Sequence, residues 1–301
     1  MSKQPRSWQG HGFRLTLDQP HVIGILNTTP DSFSDGGIFT TERAAVTRGL
    51  EMAAQGAAML DIGGESTRPG AHRISEQEQI RRTAKIIAAL RRELDVRGFS
   101  NVAMSIDTTR SSVAQAALDA GAVIINDVAA GLEDHAMFEL AAARGCGMIL
   151  MHRRAAPDRD QYSHEYTARP VYDDVVADVA AFLKERAKAA LAAGVSREAI
   201  VIDPGLGFGK SVEDNSELIR RTSELASAGF PLLSAASRKS FIGAVANVPL
   251  PADRDPGSIA VALEQFRQGV QLFRVHDVAG HVQALRVAAT TSRAPDAVRS
   301  S

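Results

Sequence analysis

The chain has 301 residues, 45% of them hydrophobic and 23% charged, an ordinary composition for a globular protein. Its 34 basic and 35 acidic residues leave a net charge of −1, which argues against a protein that coats nucleic acid. No run approaches the roughly 20 apolar residues of a membrane helix, the polar segment Met1–Gly10 does not read as a secretory signal, and the single cysteine, Cys146, reads as buried filler in a reducing compartment, so a cytoplasmic location is expected.

Along the chain, eight short apolar runs alternate with segments of helical spacing. Residues 11–18 suit a small hairpin. Val22–Leu26 runs into Asn27, and Thr41–Gln55 follows with Ala44, Ala45, Leu50 and Met52 as its apolar positions. Ala57–Leu60 leads to Asp61 and then to a predicted helix over Glu76–Leu94, where Ile80, Ala84, Ile87, Ala88 and Leu94 recur at three-to-four spacing. Val102–Ile106 ends at Asp107, before the alanine-rich Ser111–Ala120. Ala122–Ile125 ends at Asn126, before His135–Arg144. Met148–Met151 ends at His152, before the long Tyr172–Ala193. Ala199–Ile202 ends at Asp203, before Ser216–Ala228. Pro231–Leu233 precedes Ser237-Arg238-Lys239 and the segment Ser258–Arg267. Val270–Phe273 precedes Arg274 and His276, and His281–Thr291 follows.

Runs this short and this apolar suit strands buried on both faces, as in a parallel sheet. Eight strand–helix units with a closed sheet predict an α/β fold, the (β/α)8 TIM barrel, with residues 1–20 as an N-terminal segment whose hairpin closes the barrel bottom. The barrel is expected over residues 21–293 and a loose tail over 294–301. A doubly wound open sheet is the rival, which counting alone does not exclude. In a barrel the polar groups at the carboxyl ends of the strands converge on the site of chemistry.

The loops at those ends differ in character. The first, Asn27–Gly37, places Phe33 among hydroxyls and carboxylates, which suits a lid over a ligand; an ordinary surface turn is the plain alternative. The second, Asp61–Gly70, offers Ser66, Thr67 and Arg68 for an anion, with glycines that let a backbone approach closely. Asp107, Asn126 and Asp203 could each be a helix cap or a turn residue. At equivalent strand ends they instead make an acceptor-lined floor for a flat heterocycle with N–H groups, such as a guanine or a pterin. Gly205–Ser211 looks like a phosphate-binding loop, but the first glycine of that pattern falls on Pro204 and the match fails. Ser237-Arg238-Lys239 with Arg274 and His276, and Asp277 as the one local carboxylate, point to an anionic ligand; a solvated charge cluster is the alternative. His152 opens a charged loop, Arg153–Asp160, read as solvated, and no histidine pair has zinc-ligand spacing.

Seven stretches in this order, IGILNTTPDSFSDGG, LDIGGESTRPGA, SIDTTR, AVIINDV, VIDPGLGFGK, SRKSFIG and RVHDV, resemble the dihydropteroate synthase family of folate biosynthesis and cover residues 23–278. The resemblance implies a transferase that condenses 7,8-dihydropterin-6-ylmethyl diphosphate with 4-aminobenzoate to 7,8-dihydropteroate and diphosphate, assisted by Mg2+. It implies that Asp107, Asn126, Asp203 and Lys239 hold the pterin and that Asn27 ligates Mg2+. It implies that Thr67, Arg68, Arg274 and His276 hold the diphosphate, and that Phe33, Pro69, Ser237 and Arg238 frame the 4-aminobenzoate. Asn27, Arg68, Lys239, Arg274 and His276 are the residues expected to act on the reaction itself. A homodimer is expected, built on the last helices. The sequence departs from the family at Met151-His-Arg-Arg-Ala-Ala-Pro157, at Ala235 where glycine is usual, and at Thr28 where valine is more common. Two other readings share the barrel: a pterin-binding methyltransferase domain, which would not need Arg68 or the Ser237–Lys239 cluster, and a non-catalytic pterin-binding paralogue.

Overall fold

The computed structural model describes residues 7–28 and 38–292. Two strands, β1 (Ser7–Gly10) and β2 (Phe13–Thr16), pair as an antiparallel hairpin. There follow β3 (His21–Asn27), α1 (Ile38–Ala54), β4 (Met59–Gly63), α2 (Glu76–Val96), β5 (Ala103–Asp107), α3 (Ser111–Asp119), β6 (Ile124–Asp127), α4 (Ala136–Arg144), β7 (Gly147–Met151) and α5 (Val175–Ala192). The chain continues with β8 (Ile200–Asp203), α6 (Val212–Arg220), α7 (Thr222–Leu225), β9 (Leu233–Ser234), α8 (Ser240–Ala246), α9 (Asp255–Arg267), β10 (Leu272–Val275) and α10 (Val278–Ser292). The eight strands from β3 to β10 are parallel and ordered β8-β7-β6-β5-β4-β3-β10-β9. The remaining seam closes between β8 and the approach to β9: Ile202 bridges Leu232, and the Ile202 N–H donates to the Pro231 carbonyl at 3.0 Å. The result is the (β/α)8 barrel.

The strands are buried on both faces, and their two faces meet different partners. Outward residues such as Leu60, Ile62, Met104, Ile106 and Leu150 pack against the helices. The inward residues Ile23, Met59, Ala103, Ile124, Ile149, Val201, Leu233 and Leu272, one per strand, form a separate apolar layer. Trp8 joins that layer with no exposed surface and donates its indole N–H to the Ala199 carbonyl at 2.8 Å, so the hairpin plugs the amino end of the barrel. Two residues further along five of the eight strands the interior becomes polar, at Asp61, Ser105, Asn126, Asp203 and Arg274, while Ile25, Met151 and Ala235 keep the other three apolar. This step up the barrel axis, from oil to charge, positions the site.

Three expectations are corrected. Six of the eight strands start and end slightly later than their apolar runs, the exceptions being β3 and β7, and Asp61 therefore lies within β4 rather than opening the second loop. The helix expected over Ser216–Ala228 begins at Val212, capped by Ser211, and breaks at Arg221, where the buried Thr222 hydroxyl bonds back to the Leu218 and Ile219 carbonyls. A further helix, α8, starts directly after Lys239, in a segment the sequence left unassigned. The tail 294–301 and residues 1–6 lie outside the described residues.

Candidate functional site

Asp61 is the centre of the polar layer. Its carboxylate is 1% exposed and accepts from the Ser105 hydroxyl (2.5 Å), the Asn126 amide (3.1 Å) and the Arg274 Nε–H (2.5 Å). Arg274 then donates from Nη2 to Asp107 at 2.8 Å. Asn27, Gly63, Asp107 and Asn126 form one register row across β3 to β6. A Cβ on Gly63 would stand 3.6 Å from Asn27 Oδ1 and 3.7 Å from Asp107 Cβ, so the glycine leaves these two side chains facing one another. Burial raises the Asp107 carboxyl above its ordinary range, and the Arg274 charge opposes that shift. A buried carboxylate pair sharing one guanidinium is stable only while all three remain together.

Asp203, at the end of β8, is also buried, and burial raises its carboxyl; the Gly205 N–H donated to it at 2.7 Å pulls the other way. Opposite it, Lys239 is half-buried, with Nζ 3.7 Å from the centre of the Phe208 ring. Burial pushes this ammonium down to about 7. Asp107, Asn126, Asp203 and Lys239 thus sit at one end of the barrel.

The residues expected to meet the anion and the second ligand divide. Ser237 and His276 are joined, Ser237 Oγ lying 2.9 Å from His276 Nδ1 and accepting the His276 backbone N–H at 3.1 Å. Burial, with Arg238, Arg274 and Arg68 nearby, pushes His276 down to about 3, so its ring is neutral. If its Nδ1 accepts the Ser237 hydroxyl proton, its Nε2 carries the hydrogen and is a donor. Thr67 and Pro69 are half-buried and Arg68 is exposed on the second loop. The Arg238 guanidinium grips Asp255 with two bonds, at 2.8 and 2.7 Å. The basic cluster is therefore largely compensated, by Asp255, Asp61 and Asp107, where the sequence offered only Asp277. Phe33 lies outside the described residues.

The charged loop after β7 is solvated only in part: Arg154, Asp158 and Arg159 are exposed, while His152 and Asp160 are buried. His152 is 6% exposed and packs edge-to-face on Phe182 with ring centres 4.8 Å apart. Arg153 is buried against Glu133, and Arg154 lies over the Tyr172 ring at 4.9 Å. Glu133 also accepts both Arg73 (2.6 Å) and the Thr109 hydroxyl (2.7 Å), so one carboxylate ties together the loops after β4, β5, β6 and β7. Asp127, beside Asn126, is the turn residue of its loop, accepting the Ala129 and Gly131 N–H groups.

Among the described residues no group of three His, Cys, Asp or Glu side chains could hold a metal. The donor set suits Mg2+ only as an ion that keeps water and phosphate ligands and takes Asn27 as a neutral oxygen ligand. Reading the sequence missed the hub role of Asp61, the Glu133 junction, and the residues Phe208 and Lys210. The glycines around Phe208 and Lys210 were a signal, but they were tested only as a phosphate loop.

The comparisons with known proteins agree with this fold. The pterin-binding enzyme family matches residues 23–276. A dihydropteroate synthase of Synechocystis sp. is 42% identical over 268 residues, covering 89% of each chain. The Xanthomonas albilineans dihydropteroate synthase bound to 4-aminobenzoic acid superposes with a TM-score of 0.87 at 42% identity, covering 97% of this chain and 100% of its own. The same organism's enzyme in complex with 7,8-dihydropteroate superposes at 0.82 with 40% identity, over 96% of this chain and 100% of its own.

Proposed function

The chain belongs to the pterin-binding enzymes and, among them, to the dihydropteroate synthases, and on that premise we propose how its barrel mouth works. It joins 7,8-dihydropterin-6-ylmethyl diphosphate to 4-aminobenzoate, releasing diphosphate and 7,8-dihydropteroate. The observation that carries the reading is the buried polar layer in which Asp61, Asn126, Asp107 and Arg274 are bonded together beside Asp203 and Lys239.

In this reading Asp203 and Asn126 meet the amino-amide edge of the pterin, Asp107 borders the ring, and Lys239 donates to its carbonyl. Arg274 is held from below by two carboxylates through Nε and Nη2. Its Nη1, which has no partner among the described residues, is left for a diphosphate oxygen. His276, kept neutral, donates from Nε2, while Thr67 and Arg68 reach the diphosphate from the second loop. Such preorganised donors stabilise the charge that grows on the leaving group. Mg2+, taken by Asn27 together with the diphosphate, would neutralise more of that charge.

The carbon–oxygen bond breaks first and its electron pair leaves with diphosphate. The cation left behind spreads over the dihydropterin. The arylamine lone pair then forms the carbon–nitrogen bond, and the nitrogen loses a proton. An arylamine is already nucleophilic, so no strong general base is required. Ser237, Pro69 and Phe33 would frame the arylamine, with Arg238 contributing backbone and alkyl stem, since its charge is spent on Asp255. The first two loops would keep water from the cation.

Two further parts of the reading concern the whole molecule. We place the chain in the cytoplasm as a homodimer, joined through the groove between α9 and α10 where Ile259, Leu263, Ala284, Val287 and Ala288 are lined up. Light scattering should return twice the chain mass; a monomer at micromolar concentration would remove the dimer. The reaction itself is tested by supplying purified chain with the pterin diphosphate, 4-aminobenzoate and Mg2+. Equal yields of dihydropteroate and diphosphate are expected, with neither formed when EDTA is present. No dihydropteroate under any condition would overturn the assignment.

A further inference from the structure

Among the described residues Lys210 is the one lysine with no exposed surface, and the reaction as described makes no use of it. Its ammonium has three N–H donors, and each has a partner at 2.9 Å: His152 Nδ1, the Gly205 carbonyl and the Phe208 carbonyl. The loop that supplies these carbonyls is wound around its own lysine. Gly205, Gly207 and Gly209 alternate at φ +65°, +79° and +63°, a left-handed backbone that turns carbonyls inward and that side chains disfavour. A Cβ on Gly205 would fall 1.9 Å from the His152 carbonyl, and one on Gly207 would fall 2.9 Å from Lys239 Cδ. The loop turns the carbonyls of Gly205 and Phe208 to a cation, whereas a phosphate loop must turn backbone N–H groups to an anion, a physical reason beyond Pro204 for rejecting that reading.

His152 completes the cage. Its buried ring sits edge-on to Phe182, its backbone N–H donates to the Asp203 carbonyl at 3.0 Å, and its Nδ1 serves as the lone-pair acceptor whenever Lys210 is charged. Burial and the adjacent Lys210 charge push His152 down to about 2, consistent with a permanently neutral ring. The cage borders the pterin subsite on two sides. Phe208, whose carbonyl Lys210 holds, carries the ring under Lys239. Asp203, whose strand end His152 holds, lies near enough for its charge to be felt by Lys210.

We infer that His152 and Lys210 are positioning residues for the pterin subsite, acting through Phe208 and Asp203 without touching the substrate. Lys210 fixes the loop so that Phe208 presents Lys239, and it places a buried positive charge beside Asp203. His152 orients Lys210 through a single acceptor atom. This assigns the strand end that the sequence left without a role. The inference rests on the barrel mouth being a pterin site, and the experiment separates the two claims.

Binding of a 6-hydroxymethylpterin probe and the two KM values are measured for the wild-type chain and for His152→Phe, His152→Gln and Lys210→Met. His152→Phe keeps the aromatic packing on Phe182 and removes the acceptor; His152→Gln restores an acceptor and removes the ring. Pterin affinity should fall about tenfold or more in His152→Phe, as expected when a buried charged donor loses its partner, and be largely recovered in His152→Gln. The KM for pterin diphosphate should rise in step while the KM for 4-aminobenzoate changes less than about twofold. The reverse order, with phenylalanine tolerated and glutamine not, would make His152 a packing residue and overturn the proposal. Should the histidine variants fail to fold, Lys210→Met decides: retained pterin affinity overturns the proposal, and lost affinity with native circular dichroism supports it. A wild-type chain that binds no pterin would instead sink the reading of the site.

Discussion

At the scale of single residues, the site is a set of charges whose partners decide what each can do. Lys239 is the clearest case. Burial holds its ammonium down to about 7, against an ordinary 10.5. The unfolded chain therefore binds that proton more tightly between those two values, and folded stability rises with pH across the window. Lys210, also held down to about 7, adds a contribution of the same sign. Lys239→Met should flatten part of this rise and make the chain more stable than wild type near neutral pH. It should also weaken pterin diphosphate binding by about tenfold or more. Denaturation at several pH values with a parallel binding titration checks both; unchanged affinity would remove Lys239 from the subsite. Arg274→Met is the opposite kind of change. It leaves Asp61 and Asp107 buried beside one another without their cation, at a cost of about 3–5 kcal/mol. Adding Asp61→Asn should recover part of that loss in urea titrations, and no recovery would mean the three groups do not act as a unit.

At the scale of elements, the loops above the barrel are bound to each other as well as to their strands. Glu133 takes Arg73 from the second loop, Thr109 from the loop after β5 and Arg153 from the loop after β7. The Gly70 N–H also donates to the Pro157 carbonyl at 2.8 Å. The second loop carries Thr67, Arg68 and Pro69, so this junction governs how firmly they are presented. Partly exposed ion pairs contribute little to global stability, about 0–1 kcal/mol each. Glu133→Gln should therefore leave the melting temperature nearly unchanged while speeding proteolysis within residues 64–74 and raising the KM for 4-aminobenzoate a few-fold. Equal cleavage rates and an equal KM would reduce the junction to surface decoration. The divergent Arg153 thus has a partner in the fold, whereas nothing in the structure explains Ala235.

At the scale of the whole molecule, the barrel is divided along its axis. The apolar layer and the Trp8 plug hold the amino end; the polar layer and the loops hold the carboxyl end. Stability and chemistry are separated in the same way. Trp8→Ala should cost about 3–5 kcal/mol of folding stability, the range for deleting a buried aromatic. It should leave the kcat of the folded fraction close to wild type. A large fall in kcat at full occupancy of the native state would show that the hairpin reaches the site after all.

The order of strands and helices was legible in the chain because strands buried on both faces must be apolar throughout, and eight such runs stand out between amphipathic helices. The polar residues that end them were legible for the same reason: a charge next to an apolar run needs an explanation. Asn27, Asp107, Asn126 and Asp203 could all be named from that pattern. What it left open was compensation. Asp61 and Arg274 are 213 positions apart and meet only because the barrel closes. Arg238 is tied up by Asp255 from the start of α9, Arg153 is covered because Glu133 arrives from another loop, and Lys210 is wrapped by its own glycines. Apolar periodicity is a local property and can be read along the chain. The partner of a charge depends on distance in space, and the tertiary structure alone sets that distance.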